Sequence, residues 1–378
     1  MTTAAVWDHI RHGRAPTSSR VAHAVGQEAA VLGATGAVRK VGHIEGALLG
    51  AGPLQELLTD ERVTDVLVNG TAGVWVDRGD GLEHVDCDIG DESDLRRLAV
   101  RLAGSAGRRL DDASPYVDGQ LTGGIRLHAV LPPLVDGGPH ISLRIPRRDA
   151  PTLAELELWG ACTSDMTRIL RAVVARRCAF LVTGGTGSGK TTLLAALLAE
   201  VPHTERIVVV EDVRELLVRH PHLVALQARP ANVEGRGAVD LAALVRQSLR
   251  MRPDRVAVGE VRGAEVRDML TALNTGHEGG CGTVHANAPA DVVARIEALG
   301  ALAGMSPSAT RSQLVSALRL VIHMRRQGSA RVVDSIGVID GDSRRLRVIP
   351  ALRREGQGYR RESGHGMLVD LGITGDDA

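Results

Sequence analysis

Apolar residues change their spacing about 150 residues into the chain. Short alternating runs dominate the first part. "VTDVLVNG" reads as a strand ending in a turn, and "GVWVDRGDGLEHVDCD" reads as a hairpin with "RGDG" at its tip. Leu95, Leu98, Ala99 and Leu102 then recur at i, i+3, i+4 and i+7 behind the capping run "GDESD", which predicts a helix with one apolar face. "IRLHAVLPPL" and "HISLRIPRR" predict two further strands. Residues 51–145 are therefore expected to form a small N-terminal α/β domain. Residues 1–50, rich in Ala, Gly and Val with weak helical periodicity, read as a mostly helical or flexible extension. "PRRDAPTLAELELWG" carries two prolines and a charge cluster, and reads as a linker over residues 146–160.

Beyond it the pattern alternates between continuous apolar runs and amphipathic stretches. "CAFLVTG", "RIVVVED", "LVALQAR", "RVAVGEV" and "GTVHA" read as strands. The stretch after Lys190, "DLAALVRQSLR", "AEVRDMLTAL" and "DVVARIEAL" read as helices. Strands without polar alternation must be covered on both faces, so the expected fold class is α/β, with a mostly parallel sheet over residues 161–340. "LRLVIHMRR" and the antiparallel-looking "VVDSIGVID" and "RLRVIPALRR" follow, and residues 341–378 read as C-terminal strands and a tail.

Composition narrows the function. The 378 residues are 44% hydrophobic and 24% charged, with a formal net charge of zero and 2% aromatic residues. A neutral chain has no global field for nucleic acid or anionic lipid, and few aromatics leave little platform for stacking bases. Direct nucleic-acid binding is not expected. Cys87, Cys162, Cys178 and Cys281 contain no C-x-x-C pair, so neither a zinc site nor a disulfide scaffold is implied. The start lacks the apolar core of a signal peptide, and no run reaches the ~18 apolar residues of a spanning helix. A cytoplasmic location is expected, with any membrane role exerted through partners.

Of the 45 basic residues only Lys40 and Lys190 are lysine. Lys190 lies in "GGTGSGKTT", where Gly184, Gly185, Thr186, Gly187, Ser188, Gly189, Lys190 and Thr191 fit G-x-x-x-x-G-K-[ST], between an apolar strand and an apolar helix. Glycines let successive backbone N–H groups converge on phosphate oxygens, and the following helix points its positive end at the same anion. Thr191 offers a hydroxyl to Mg²⁺, and Thr192 completes the nucleotide-binding run. Lys190 supplies a compact charge for the β- and γ-phosphates, a place that a forked guanidinium cannot fill in the same way. The expected ligands are ATP and Mg²⁺.

Other candidates sit at strand ends, where open α/β sheets bind ligands. Glu211 and Asp212 follow "IVVV", and a carboxylate there can hold a water for in-line attack. Glu260 ends "RVAVGE", at the position of an acid that reaches Mg²⁺ directly or through water. His277 and His285 flank "EGGCGTV" and can report the presence of a γ-phosphate.

The ordered set "GGTGSGKTT", "VVVEDVREL", "MRPDRVAVGEVRGAE" and "TGHEGGCGTVHAN" resembles the type II/IV secretion-system ATPases, most closely the tight-adherence (Tad) pilus and conjugal-transfer-associated branch. "DVLVNGTAGVWVDR", "DASPYVDGQLTGGIRLHAVLPPL" and "ISLRIPRR" match that branch's N-terminal domain, so the resemblance spans roughly residues 50–325. It implies a RecA-like P-loop ATPase domain, a catalytic base at Glu211 and a magnesium-side acid at Glu260, the division between the two glutamates being open. It further implies that His277 and His285 sense the γ-phosphate and that Arg126 and Arg144 reach the phosphates from the N-terminal domain. Arg147 and Arg148 are weaker candidates, closer to linker charges. The implied machine is a homohexamer at the inner face of the cytoplasmic membrane. There it would couple ATP hydrolysis to domain movement that drives pilin assembly or export through a polytopic membrane platform. Two other readings stay open: a nucleic-acid translocase of RecA-like fold, and a nucleotide-dependent switch or scaffold.

Overall fold

The computed structural model describes residues 50–374 apart from 80, 147–149, 230, 232–235, 277 and 329. The chain divides into two compact units between residues 147 and 148.

The first unit runs α1 (Gln55–Thr59), β1 (Asp65–Asn69), β2 (Val74–Asp77), β3 (Leu82–Val85), α2 (Glu92–Ser105), β4 (Tyr116–Gln120), β5 (Arg126–Val130) and β6 (His140–Arg144). Its strands form one antiparallel sheet in the order β3-β2-β1-β6-β5-β4. Helix α2 starts at a reciprocal cap: Asp91 accepts from the Asp94 N–H at 2.9 Å while Asp94 accepts from the Asp91 N–H at 3.3 Å. Its Leu95, Leu98, Ala99 and Leu102 are buried with Val66, Val68, Leu127, Ile141 and Leu143 of the sheet. The expected strands and helix of this unit are present. Strand β4 was not foreseen, because "YVDGQ" mixes a glycine with polar residues and has little apolar content.

The second unit begins with α3 (Leu153–Leu158) and α4 (Ser164–Ala175). Helix α3 lies in the stretch that reads as a linker. Thr152 and Glu155 cap it reciprocally, with bonds of 3.2 and 2.7 Å, and Leu153 and Leu156 are buried in the core. Prolines and charges in the sequence masked that capping signal.

The rest of the unit runs β7 (Phe180–Thr183), α5 (Lys190–Ala199), β8 (Ile207–Glu211), β9 (Leu223–Gln227), α6 (Leu241–Ser248), β10 (Arg255–Val258), α7 (Glu265–Asn274), β11 (Cys281–Val284), α8 (Val292–Leu302), α9 (Pro307–Ala317), β12 (Leu320–Gln327), β13 (Ala330–Gly341), β14 (Leu346–Glu355), β15 (Gly358–Arg361) and α10 (His365–Asp370). One sheet takes the order β15-β14-β13-β12-β7-β11-β10-β8-β9. The strands from β12 to β9 are parallel, and β13, β14 and β15 continue the sheet antiparallel. Strands β7, β8, β10 and β11 are buried along their whole length, as continuous apolar runs require. Alternate residues feed two cores. Phe180, Val182 and Val209 pack with α3, α4 and α5, while Leu181 and Val210 pack with the α6–α9 layer. The architecture is the RecA-like α/β class.

Candidate active site

The sheet order brings the motifs together. Four neighbouring strands, β7, β11, β10 and β8, end at the same edge, and each is followed by a candidate residue. The phosphate-type loop follows β7, His285 follows β11, Glu260 lies two residues beyond β10, and Glu211 ends β8. Chain order separates them; hydrogen-bond register makes them neighbours. Val284 pairs with Thr183 and Val258 with Val210, so His285 emerges beside the loop and Gly259 beside Glu211.

The loop is built around backbone that only glycine takes readily. Gly184 has φ +143°, and a Cβ there would sit 2.3 Å from the Met324 carbonyl oxygen and 2.6 Å from Ser188 Oγ. Gly189, left-handed at φ +93°, caps α5. Lys190 and Ser188 are buried while Gly185, Thr186 and Gly187 form an exposed tip. Lys190 Nζ donates to the Gly185 carbonyl at 2.8 Å, so the ammonium is folded into the loop's own concavity. Ser188 Oγ donates to the same carbonyl at 2.9 Å, and Arg331 Nε donates to the Gly187 carbonyl at 3.0 Å. Burial lowers the Lys190 pKa; the Glu260 carboxylate opposes that shift and Arg262 adds to it. Thr191 and Thr192 open the first turn of α5, half-buried. These features fit a polyphosphate with its magnesium. The exposed tip carries glycine at positions 185 and 187, one ammonium is folded into the loop, and a helix N-terminus stands behind it.

Glu211 is buried at 4% exposure. Its Oε1 accepts from the N–H groups of Glu215 and Leu216, both at 2.9 Å, and among the described residues its Oε2 has no hydrogen-bond partner. Burial raises its pKa, outweighing the two backbone N–H groups. Gly259 makes its position possible: a Cβ there would lie 2.6 Å from Glu211 Cγ. A carboxylate with one oxygen fixed and one unsatisfied is equipped to accept a hydrogen bond from a further donor such as water.

Both Glu260 oxygens have a nitrogen nearby. Oε1 meets His285 Nε2 at 3.1 Å and Oε2 accepts from Arg262 Nη2 at 2.5 Å. The His285 pKa is lowered, first by burial and then by Lys190, with Glu260 opposing. The Arg262 pKa is raised, first by its bond to Glu260, and the charges of Asp212 and Glu215 act in the same direction. Glu265 fixes the turn beneath, its Oε1 accepting from the N–H groups of Arg262 and Gly263 at 2.6 and 2.8 Å.

Sequence reasoning missed Arg262, although it stands two residues after Glu260, as well as Gly259 and Arg331. It also missed His323, a buried imidazole on β12 whose Nδ1 lies 2.9 Å from Thr183 Oγ1, directly before the loop. His277, Arg147 and Arg148 lie outside the described residues. The described residues just after His277 lead into the amino end of β11, where a Cβ on Gly279 would lie 2.7 Å from Arg255 Nη1. In the first unit, register sets Arg126 opposite Arg144 and Arg144 opposite Asp65. Arg144 Nε pairs with Asp65 Oδ1 at 3.1 Å. The three side chains share one row on the sheet face away from α2, since Val66, Leu127 and Leu143 face the core.

Fold and loop together define a P-loop protein of the RecA-like class. Residues 47–344 match the family described as Type II/IV secretion system protein, and the chain belongs to that family. A Mycobacterium tuberculosis protein provisionally named as a conjugal transfer protein is 54% identical over 307 residues, covering 80% of this chain and 87% of that protein. The type IV secretion system protein PtlH of Bordetella pertussis is 34% identical over 322 residues, covering 76% of this chain and 94% of its own. The Legionella pneumophila ATPase DotB shares the fold, with a TM-score of 0.55 at 20% identity over 77% of this chain and 83% of that one. Among the described residues no helix is long and apolar enough to cross a membrane.

Proposed function

We propose that this chain is an ATPase that hydrolyses ATP to ADP and phosphate as the motor of a type II/IV secretion or tight-adherence pilus machine. The observation that carries this reading is the convergence of the Lys190 loop, His285, Glu260 and the half-satisfied Glu211 on four adjacent strand ends. Bound magnesium nucleotide supplies an electrophilic γ-phosphorus and the negative charge to be balanced. Lys190 exchanges the Gly185 carbonyl for phosphate oxygens, and the loop N–H groups hold the polyphosphate. Glu211 orients the attacking water through Oε2 and takes its proton, its raised pKa favouring that role. Thr191 and Glu260 serve the magnesium side, and His285 links Glu260 to the loop. Arg126 and Arg144 neutralise charge from the N-terminal unit. The working form is a homohexamer at the cytoplasmic face of the membrane, moving a polytopic platform protein.

The test is kinetic. Lys190→Ala is expected to abolish turnover and weaken nucleotide binding. Glu211→Ala and Glu260→Ala are expected to retain bound ATP and block phosphate release in a single turnover. Normal phosphate release from both glutamate variants would sink the assignment. Stimulation of turnover by DNA that falls steeply with added salt would favour a nucleic-acid translocase instead.

A further inference from the structure

We propose that Arg262 is a positioning residue that, together with His285, holds Glu260 away from magnesium until nucleotide arrives. The inference rests on the nucleotide reading above and adds a gate to it. A carboxylate that ligates a cation, or one of its waters, needs a lone pair directed at it. Here Arg262 Nη2 donates to Oε2 at 2.5 Å, and His285 Nε2 lies 3.1 Å from Oε1. The two groups come from different places. His285 rides on the end of β11, and Arg262 sits on the turn after β10, which Glu265 pins through two backbone N–H groups. The acid is therefore held between two structural elements.

The charges of Asp212 and Glu215, in the turn after β8, favour the charged form of the Arg262 guanidinium. Each carboxylate oxygen keeps a second lone pair, so magnesium competes with the Arg262 hydrogen bond for the direction and charge of the carboxylate, and magnesium affinity reports whether the bond is there. Arginine suits this task better than lysine, because its fixed fork sets the direction of the bond.

The experiment measures the affinity of a fluorescent, slowly hydrolysed ATP analogue with and without magnesium on the full chain. The ratio of the two affinities is the magnesium linkage. Arg262→Gln is expected to raise that ratio about tenfold, the worth of one hydrogen bond to a charged group. Arg262→Lys is expected to fall between. In a Glu260→Gln background the same Arg262→Gln change is expected to alter the ratio by less than about twofold, because the clamp acts through the carboxylate. An unchanged ratio in Arg262→Gln overturns the proposal. So does an equal rise in both backgrounds, which would mean that Arg262 acts on the nucleotide by its charge alone. A wild-type chain that binds the analogue with no magnesium linkage overturns the gate alone, whereas one that does not bind the analogue at all would remove the nucleotide reading, and this inference with it.

Discussion

Replacing Gly259 by alanine places one methyl group against the Glu211 side chain. The new Cβ would stand 2.6 Å from Glu211 Cγ and 3.0 Å from its Oε1. Carbon atoms pack at about 3.5–4.0 Å, so one partner must retreat by about 1 Å. The backbone resists that movement. Gly259 N–H donates to the Val210 carbonyl at 2.9 Å, and β10 and β8 are paired over their whole buried length up to that point. The Glu211 side chain must move instead, away from the Glu215 and Leu216 N–H groups that it accepts at 2.9 Å. Overpacking of this kind costs about 1–3 kcal/mol. A displacement of about 1 Å in a reacting group can slow chemistry about 100-fold. The expected outcome is a folded protein with a lowered melting temperature, near-normal ATP affinity and kcat reduced about 100-fold. Steady-state phosphate release, fluorescent-nucleotide titration and thermal denaturation read the three quantities. A stable variant that turns over at the wild-type rate would refute the claim that Gly259 sets the position of Glu211.

Glu211→Gln tests the same carboxylate through stability. A raised folded-state pKa favours the folded protein below the unfolded glutamate range, and that contribution is lost as pH rises through the folded pKa. The variant's melting temperature minus the wild type's is therefore expected to grow from acid to neutral pH; a flat or falling difference would count against it. A third expectation concerns the amino end of the sheet. Buried Arg255 donates through Nε to Glu205 Oε2 at 2.7 Å, and Arg177 meets Glu205 Oε1 at 2.9 Å. Glu205→Ala leaves a buried guanidinium without its carboxylate and is expected to cost about 3 kcal/mol in denaturant unfolding. Glu205→Leu combined with Arg255→Met is expected to recover most of that loss, and a double variant as unstable as the single one would argue against the burial penalty as its cause.

Much of this could be read without coordinates because the signals are local. An apolar run followed by a glycine-rich loop, a lysine and an apolar helix specifies strand, loop and helix by conformational preference and periodicity alone. The strands that hold Glu211 and Glu260, and β11 before His285, were legible for the same reason: buried parallel strands are continuous apolar runs. What escaped had no local signature. Strand β4 holds its place by pairing with β5, and α3 hides its cap behind a proline-flanked charge cluster. Arg262 looks like one arginine among many.

Sequence alone determined which residue types could turn the loop at Gly184, carry a compact charge at Lys190 and end the strands in carboxylates, because those properties belong to single residues and their immediate neighbours. Tertiary structure decided that β7, β11, β10 and β8 lie side by side, that Gly259 clears room for Glu211, and that Arg262 and His285 share the two oxygens of Glu260. Those relations depend on hydrogen-bond register between strands far apart in the chain, and register is set by how the whole sheet buries its two faces.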